Sequence, residues 1–213
     1  MGGYVGLRST QDTLYGYLYN WYAIKIFELA PIGSHIPNYT EIDELKIQED
    51  ILSNGDAGGR LKEAGYTHWN YPNYNATNAS GFSGIASGIR HYDGDFMLKK
   101  SFQYFGSRTG DNFNGIFYTG KLSYDTSTLI SDSPVFFNVG VSIRLIKTDA
   151  EDPSDIIDYD GNVYHTVLME DAQYWTTTNF MCTHFNDGTP IAGPSFSNSE
   201  WAALTTPGYC INI

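Results

Sequence analysis

The side chains best suited to catalysis or metal binding are two cysteines and five histidines. Their spacing in the sequence limits which reactions or metal sites they could support. Cys182 and Cys210 lie 28 positions apart, which allows one disulfide but neither a Cys-rich zinc site nor a disulfide framework. No H-E-x-x-H or other close ligand spacing occurs among the histidines, which are His35, His68, His91, His165 and His184. We therefore expect two free thiols, histidines in loops or on the surface, no metal site and no cofactor.

Other sequence patterns that carry chemistry are also missing. There is no G-x-S-x-G elbow and no Walker loop, and the stretch from Gly110 to Gly115 is better explained as a turn. Residues 148–160 (TDAEDPSDIIDYD) are dense in carboxylates but lack the glycine and glutamate spacing of an EF-hand. We interpret residues 148–157 as a solvated acidic connector, with a calcium loop as the alternative.

The amino-acid composition limits the class of protein and the kinds of partner. The 213 residues carry a formal net charge of −12, which repels phosphate backbones and argues against a nucleic-acid partner. No apolar run approaches the length that membrane insertion needs, and the first residues lack the pattern of a signal peptide. Aromatic residues make up 15% against 17% charged residues, and 22 glycines favour a strand- and loop-rich chain with a sizeable core.

The elements that could position functional side chains follow from apolar patterning. The dense aromatic stretch around LYGYLYNWYAI predicts a buried strand over 16–24, and further strands are expected over 139–147 and 161–168. The pattern TEIDELKIQEDIL predicts the main helix over 40–53, with Thr40 as its cap. A shorter helix is expected over 56–64, and long loops elsewhere.

Four stretches together resemble the Fibrobacter succinogenes major paralogous domain: LYNWYAI (18–24), LAPIGSHIPNYTEIDEL (29–45), residues 58–96, and VGVSIRLIK (139–147). That family is related to the C-type-lectin-like, formylglycine-generating-enzyme type of fold. The resemblance implies an α+β, C-type-lectin-like domain with small twisted antiparallel sheets, one main helix and long loops.

The order of the segments departs from the family. Residues 158–210 resemble the segment that begins the family domain, yet here they come last. Circular permutation explains this: 1–147 is the usual C-terminal part, 148–157 joins the usual ends, and 158–213 is the usual N-terminal part of a single domain, 1–213. The alternative is that 158–213 completes the fold of a neighbouring subunit.

Residue differences from the family bear on function. Members often carry cysteines where this chain has Ala30 and Leu145, so an apolar pair replaces a disulfide, as suits folding in reducing surroundings. The family's Trp-Trp-Ser-Ser-like segment is only weakly matched by residues 103–108. Neither Cys182 nor Cys210 falls where formylglycine-generating enzymes carry their cysteine pair, and the E-P-N and W-N-D calcium motifs of animal lectins are absent. We expect a non-catalytic protein.

The remaining candidates divide into structural residues and a surface. The residues expected to pack the core or pair with buried carbonyls or carboxylates are Trp21, Trp69, Arg90, Arg144, Trp175 and Trp201. Between positions 104 and 124, aromatic rings mix with adaptable polar groups, a composition favoured at recognition sites. The expected ligand-binding residues are Tyr104, Arg108, Asp111, Asn112, Asn114, Tyr118 and Tyr124, with ordinary loop residues as the alternative.

These patterns lead to a functional expectation. We expect a phage virion decoration or host-adhesion protein that binds through lectin-like loops as a homo-oligomer. Its partners would be other virion or cell-surface proteins, or a surface glycan. An exported bacterial surface adhesin or carbohydrate-binding module is the alternative, and an oxidase of the formylglycine-generating type is a more distant one.

Overall fold

The computed structural model describes residues 14–211, which contain few helices and many short strands. The helices are α1 (Trp21–Ile24), α2 (Tyr39–Ser53), α3 (Ala57–Leu61) and α4 (Asn198–Ala202), with a 3-10 turn at Phe27–Leu29. The strands are β1 (Tyr17–Tyr19), β2 (Ser34–His35), β3 (Ile89–Arg90), β4 (Phe96–Met97), β5 (Phe102–Asp111), β6 (Ile116–Ser123), β7 (Ile130–Phe136), β8 (Ile146–Lys147), β9 (Ile156–Ile157), β10 (Val163–Tyr164), β11 (Thr166–Leu168), β12 (Tyr174–Thr176) and β13 (Tyr209–Ile211). Among these residues no helix is both long and apolar enough to cross a membrane.

The strands form several small antiparallel sheets. The three longest strands form the sheet β5–β6–β7, and a four-stranded sheet has the order β11–β12–β8–β2. Three two-stranded sheets complete the set: β1–β13, β9–β10 and β3–β4. Helix α2 packs against β5, β6 and β7. The expected α+β class, with small antiparallel sheets and few helices, is confirmed.

Local sequence chemistry explains the start and end of the main helix. The Asn38 side chain accepts a hydrogen bond from Glu41 N, and the Glu41 carboxylate accepts one from Asn38 N at 2.7 Å, which together form a capping box. The helix ends at Asn54, whose φ of 56° is left-handed. The helix predicted over 40–53 is therefore confirmed, but Asn38 and not Thr40 caps it.

Three strand predictions and the second helix need correction. The strand expected over 16–24 stops at Tyr19, because the Asn20 side chain accepts a hydrogen bond from Ala23 N and turns the chain into α1. Residues 139–147 form isolated bridges at 140–142 and a regular strand only at β8, and residues 161–168 divide at His165 into β10 and β11. The short helix spans 57–61 and not 56–64.

The segment after residue 158 is built into the same sheets as the segment before 147. Strand β13 pairs with β1 in the register Tyr17↔Ile211 and Tyr19↔Tyr209, and β12 pairs with β8 at Trp175↔Ile146. The acidic residues 148–155 between them lie largely exposed, and the Lys147 ammonium lies 2.5 Å from the Asp152 carboxylate. The two parts of the sequence thus share one set of core residues.

Candidate functional site

Most of the predicted ligand-binding residues lie on the β5–β6 hairpin, but at separate places. Tyr104 is buried in β5, where its ring lies 6.1 Å from that of Phe102; the Tyr124 ring meets that of Phe102 edge to face at 6.5 Å. The Lys121 ammonium lies 4.7 Å from the Phe102 ring. These contacts form a cation–aromatic cluster at the open end of the hairpin.

The opposite end of the hairpin is a rigid polar turn. Asp111 Oδ1 accepts hydrogen bonds from Phe113 N at 2.9 Å and Asn114 N at 3.3 Å, and Asn114 Nδ2 donates to Asp111 Oδ2 at 2.6 Å. These bonds, led by that of the Asn114 side chain, lower the pKa of Asp111. The same turn presents Asn112 and Phe113 to solvent, with Phe113 95% exposed.

The last two predicted residues lie along the body of the hairpin. The Arg108 guanidinium stacks 3.8 Å from the ring centroid of Phe27, and Arg108 N donates to Pro37 O at 2.8 Å. The Tyr118 ring lies 5.6 Å from that of Tyr39. The seven predicted residues therefore occupy three regions, and the structure does not bring them into one site.

A groove of about 500 Å³ opens beside the turn of the hairpin. Its walls come from the turn itself, α1, the segment between β3 and β4, the end of β7 with the two residues after it, and the segment that begins at the end of α4. Four of its lining residues are aromatic: Tyr22, Tyr92, Phe136 and Phe137. Two more, Asn114 and Asn138, carry amides. We call this feature the aromatic groove.

The aromatic wall is fixed by ring packing and by one bridging amide. Trp21 stacks on Phe137 with centroids 4.0 Å apart and planes 8° apart, and Tyr92 meets Phe136 edge to face at 5.5 Å. Asn138 Nδ2 donates to the carbonyls of Tyr92 at 3.1 Å and Ala202 at 3.2 Å. The groove therefore has a defined shape before any ligand enters.

The tip of the hairpin is tied to the same wall. Phe137 N donates to Gly115 O at 3.0 Å, and Gly115 has a φ of 66°, a conformation that favours glycine. This bond closes the gap between the turn and the segment after β7. The Asn114 side chain is thereby held at the edge of the aromatic groove.

The electrostatics of the aromatic groove are nearly neutral. None of its lining residues is charged, although Lys25 lies 4.9 Å over the ring of Trp21 and 5.3 Å over that of Tyr22. Phe136 is 52% exposed and Tyr92 is 44% exposed. Half-exposed rings around an open concavity are the usual composition of a binding site for an uncharged organic ligand.

Only one residue of this groove, Asn114, was predicted from the sequence as a ligand-binding residue. The others were assigned to strands or loops, since Tyr22, Tyr92 and Phe136 are far apart in the sequence and only folding brings them together. The adjacent Phe136 and Phe137 gave a weak signal, because a regular strand with one buried face would bury only one of them.

The two cysteines occupy separate parts of the core. Cys182 belongs to the main apolar cluster, and Cys210 packs in a smaller cluster with Leu18 and Trp201. Both thiols are free and buried. Burial raises the pKa of each to about 12, so that neither is a ready thiolate.

Each histidine that has an acidic partner has a single one. His184 Nδ1 lies 2.6 Å from Asp160 Oδ1, and His68 Nδ1 lies 2.8 Å from Glu63 Oε2. Within residues 14–211 no group of three or more His, Cys, Asp or Glu side chains could hold a metal ion. We find no arrangement of these residues that makes a stronger candidate than the aromatic groove.

The tryptophans and the two interior arginines lie in the core. Trp69, Trp175 and Trp201 are at most 1% exposed, and Trp21 is 6% exposed. Arg90 donates to the carbonyls of Gly94, Phe196 and Ser197, and Arg144 donates to those of Phe82, Ser83 and Thr176. These guanidinium groups connect loops that are distant in sequence.

The structure thus defines a mixed α+β protein with a preformed aromatic groove. The chain belongs to the Fibrobacter succinogenes major domain family, whose model matches residues 4–147, and this confirms the resemblance seen in the sequence. Residues 148–213 lie outside the matched range. No curated protein and no solved structure matches the chain.

Proposed function

We propose that this protein is a non-catalytic binding module that recognises a surface glycan in the aromatic groove. The observation that carries the proposal is the composition of the groove: four aromatic rings and two amides around a concavity of about 500 Å³, with no charged lining residue. Sugar rings have apolar C–H faces and polar rims, and aromatic side chains with nearby amides match both.

The chemistry of the thiols supports the non-catalytic part of the proposal. An oxidase that works through paired cysteines needs two reactive sulfurs close together. Cys182 and Cys210 lie in different apolar clusters, and burial raises the pKa of each to about 12. A turnover that is lost in Cys182→Ser or Cys210→Ser would contradict this part of the proposal.

The groove proposal is tested by binding the protein to a glycan array and comparing variants. We expect Phe136→Ala and Tyr92→Ala to lose most of the binding, because both rings are half-exposed in the groove. Phe27→Ala is the matched control, since it removes an exposed phenylalanine outside the groove. A double variant of Tyr104→Ala and Tyr118→Ala should keep binding if it remains folded; selective loss there would place the site on the hairpin body.

We also propose that the fold is a circularly permuted C-type-lectin-like domain. Support comes from the pairing of β1 with β13 and of β8 with β12, which joins the family-matched part to the segment after residue 158. In this proposal 158–213 closes on its own chain and 148–157 serves as the connector.

Reordering the gene tests the permutation. A chain that begins at residue 158, runs through 213 into 1–147 and omits the connector should fold with the same circular dichroism spectrum and a similar melting temperature. A strict monomer by light scattering would support closure within one chain. An unfolded product, or a dimer that exchanges 158–213, would contradict the proposal.

For the place of action we propose the virion of a phage, with the bacterial cell surface as the alternative. Family members often carry cysteines at the positions of Ala30 and Leu145, and both residues are buried in one apolar cluster here. This packing is compatible with folding in a reducing cytoplasm, where virion proteins are made. Detection of the chain in purified virions tests the proposal, and a longer precursor with a lipid-attachment signal would overturn it.

We propose a homo-oligomer as the working form, in contact with other virion or cell-surface proteins. A single shallow groove for a sugar gives weak affinity, and several copies on one particle raise the overall avidity without new contacts. Light scattering on the purified protein and on its native particle distinguishes a monomer from an assembly.

A further inference from the structure

We infer that the aromatic groove selects uncharged saccharides and rejects acidic ones; this rests on the proposed function and names its ligand class. The inference comes from the direction in which the two groove amides present their polar atoms. An amide whose two N–H groups are both used by the protein can offer only its oxygen to a ligand.

Asn138 is in that situation, and Asn114 has one of its two N–H groups engaged. The Asn138 NH₂ group donates to two carbonyl oxygens, those of Tyr92 and Ala202, and a carbonyl can only accept. One N–H of the Asn114 NH₂ group donates to the Asp111 carboxylate at 2.6 Å, which can only accept; this bond sets the orientation of the amide and leaves its second N–H open. The orientation of each amide is therefore set by its partners, and neither side-chain oxygen has a partner within residues 14–211.

Two amide oxygens without a protein partner at the rim of a groove favour a ligand that donates hydrogen bonds. Sugar hydroxyls and N-acetyl N–H groups donate, whereas a carboxylate or a sulfate ester can only accept. An acidic sugar would place its charge beside two unpaired amide oxygens and near the Asp111 carboxylate. No lining residue is cationic; the Lys25 ammonium, 5.3 Å from the ring centroid of Tyr22, lies next to the groove and is engaged with the Trp21 and Tyr22 rings.

The rest of the molecule reinforces this selection. The chain carries a formal net charge of −12, which repels anionic ligands at long range. The hydroxyl groups of Tyr22 and Tyr92 also have no hydrogen-bond partner within the described residues, and a hydroxyl can either donate to or accept from a sugar. The half-exposed rings of Phe136 and Tyr92 supply the apolar surface for the face of the sugar.

The test uses pairs of glycans in which one member carries an acidic group that the other lacks. Oligosaccharides that end in galactose, glucose, mannose or N-acetylglucosamine are each compared with a sialylated, sulfated or uronic acid counterpart, by array and by titration calorimetry. We expect at least one neutral glycan to bind about tenfold or more tightly than its acidic counterpart, which corresponds to about 1.4 kcal/mol. Its binding should be lost in Phe136→Ala.

Two further variants test the role of the Asn114 amide and the effect of adding a positive charge to the groove lining. Asn114→Ala should weaken neutral-glycan binding several-fold, whereas Asn112→Ala should not, because Asn112 lies in the same turn but outside the groove lining. Thr205→Lys places an ammonium in the exposed lining and should bring in acidic glycans at low salt.

The outcomes separate the two proposals. Binding that is sensitive to Phe136→Ala but equal or tighter for acidic glycans would overturn the selection of uncharged sugars and leave the proposed function in place. If no saccharide on the array bound in a manner sensitive to Phe136→Ala, the proposed function would fail, and the inference with it.

Discussion

Arg144 Nε donates a 2.7 Å hydrogen bond to Oδ1 of Asn179, and both side chains are buried. Asn179 Oδ1 also accepts from Gln103 Nε2 at 3.1 Å, while Asn179 Nδ2 donates to Tyr15 O at 2.9 Å. This contact links the family-matched part of the chain to the segment beyond it. A buried polar network therefore connects the family-matched residues to the segment after residue 147, in addition to the paired strands.

Breaking that network should destabilise the whole protein. We expect Arg144→Met and Asn179→Leu each to lower the free energy of unfolding by about 2–4 kcal/mol, because each leaves buried polar partners unsatisfied. The double variant should cost less than the sum of the two, and denaturant unfolding of all four proteins measures the coupling. Additive costs would show that the two side chains act independently.

Asp171 gives the protein a pH dependence of known sign. Its carboxylate accepts hydrogen bonds from Trp175 Nε1 at 2.9 Å and Gln173 N at 3.1 Å, yet burial, with repulsion from Glu49, raises its pKa from the ordinary 3.8 to about 6. Between these two values the folded state holds a proton that the unfolded state has released. Stability from this group is therefore full below about pH 4 and is lost as the pH rises through 6.

The measurement is the difference in unfolding free energy between wild type and Asp171→Asn across that window. We expect the wild-type value to fall relative to the variant by about 1–2 kcal/mol from pH 4 to pH 7, a range already reduced for partial solvent exposure. Using the difference removes the contribution of other carboxyl groups. Parallel curves would show that Asp171 is not the group responsible.

Local features of the fold could be predicted from the sequence, whereas features that depend on long-range contacts could not. The main helix follows from its own residues, because its capping box and its two buried apolar side chains, Ile42 and Leu45, are local. The end of β1 was missed, since Asn20 in an aromatic run gives no sign that its side chain will cap a helix. Only tertiary pairing shows that residue 20 is the turning point.

The candidate site was less predictable than the fold. The Tyr- and Asn-rich composition of residues 104–124 pointed to the hairpin, and its turn does form one edge of the aromatic groove. The other walls come from α1, from the end of β7 and from the segment after α4, which lie up to about 180 positions apart. Such a site depends on how separate sheets pack against one another, and this packing cannot be predicted from a local sequence pattern.

Gly110 leaves room for the Trp21 ring, which supports Phe137 in the wall of the aromatic groove. A methyl group at this position would lie 2.5–3.0 Å from indole atoms of Trp21, the ring that stacks on Phe137. We expect Gly110→Ala to cost about 1–3 kcal/mol of stability through overpacking. It should also weaken glycan binding, because a displaced Trp21 ring would shift Phe137, the groove residue on which it stacks.

A matched glycine variant separates the two effects. Gly65→Ala meets no atom within 4 Å but has a φ of 91°, so it introduces only backbone strain of about 1 kcal/mol. Its glycan affinity should equal that of wild type when the folded protein is titrated. Equal losses of affinity in both variants would mean that the effect of Gly110→Ala is one of stability alone.

The two thiols are buried in the folded protein. Cys182 Sγ donates to His184 O at 3.2 Å, and both cysteines are at most 1% exposed with pKa values raised to about 12 by burial. We expect neither to react with a thiol reagent at pH 8 in the folded protein, and both to react in denaturant, because a buried thiol lacks both access and thiolate character. A reducing agent should leave the melting temperature unchanged, since the two sulfurs lie in different clusters. Rapid modification of one cysteine in the native state would identify it as a reactive group and reopen the question of catalysis.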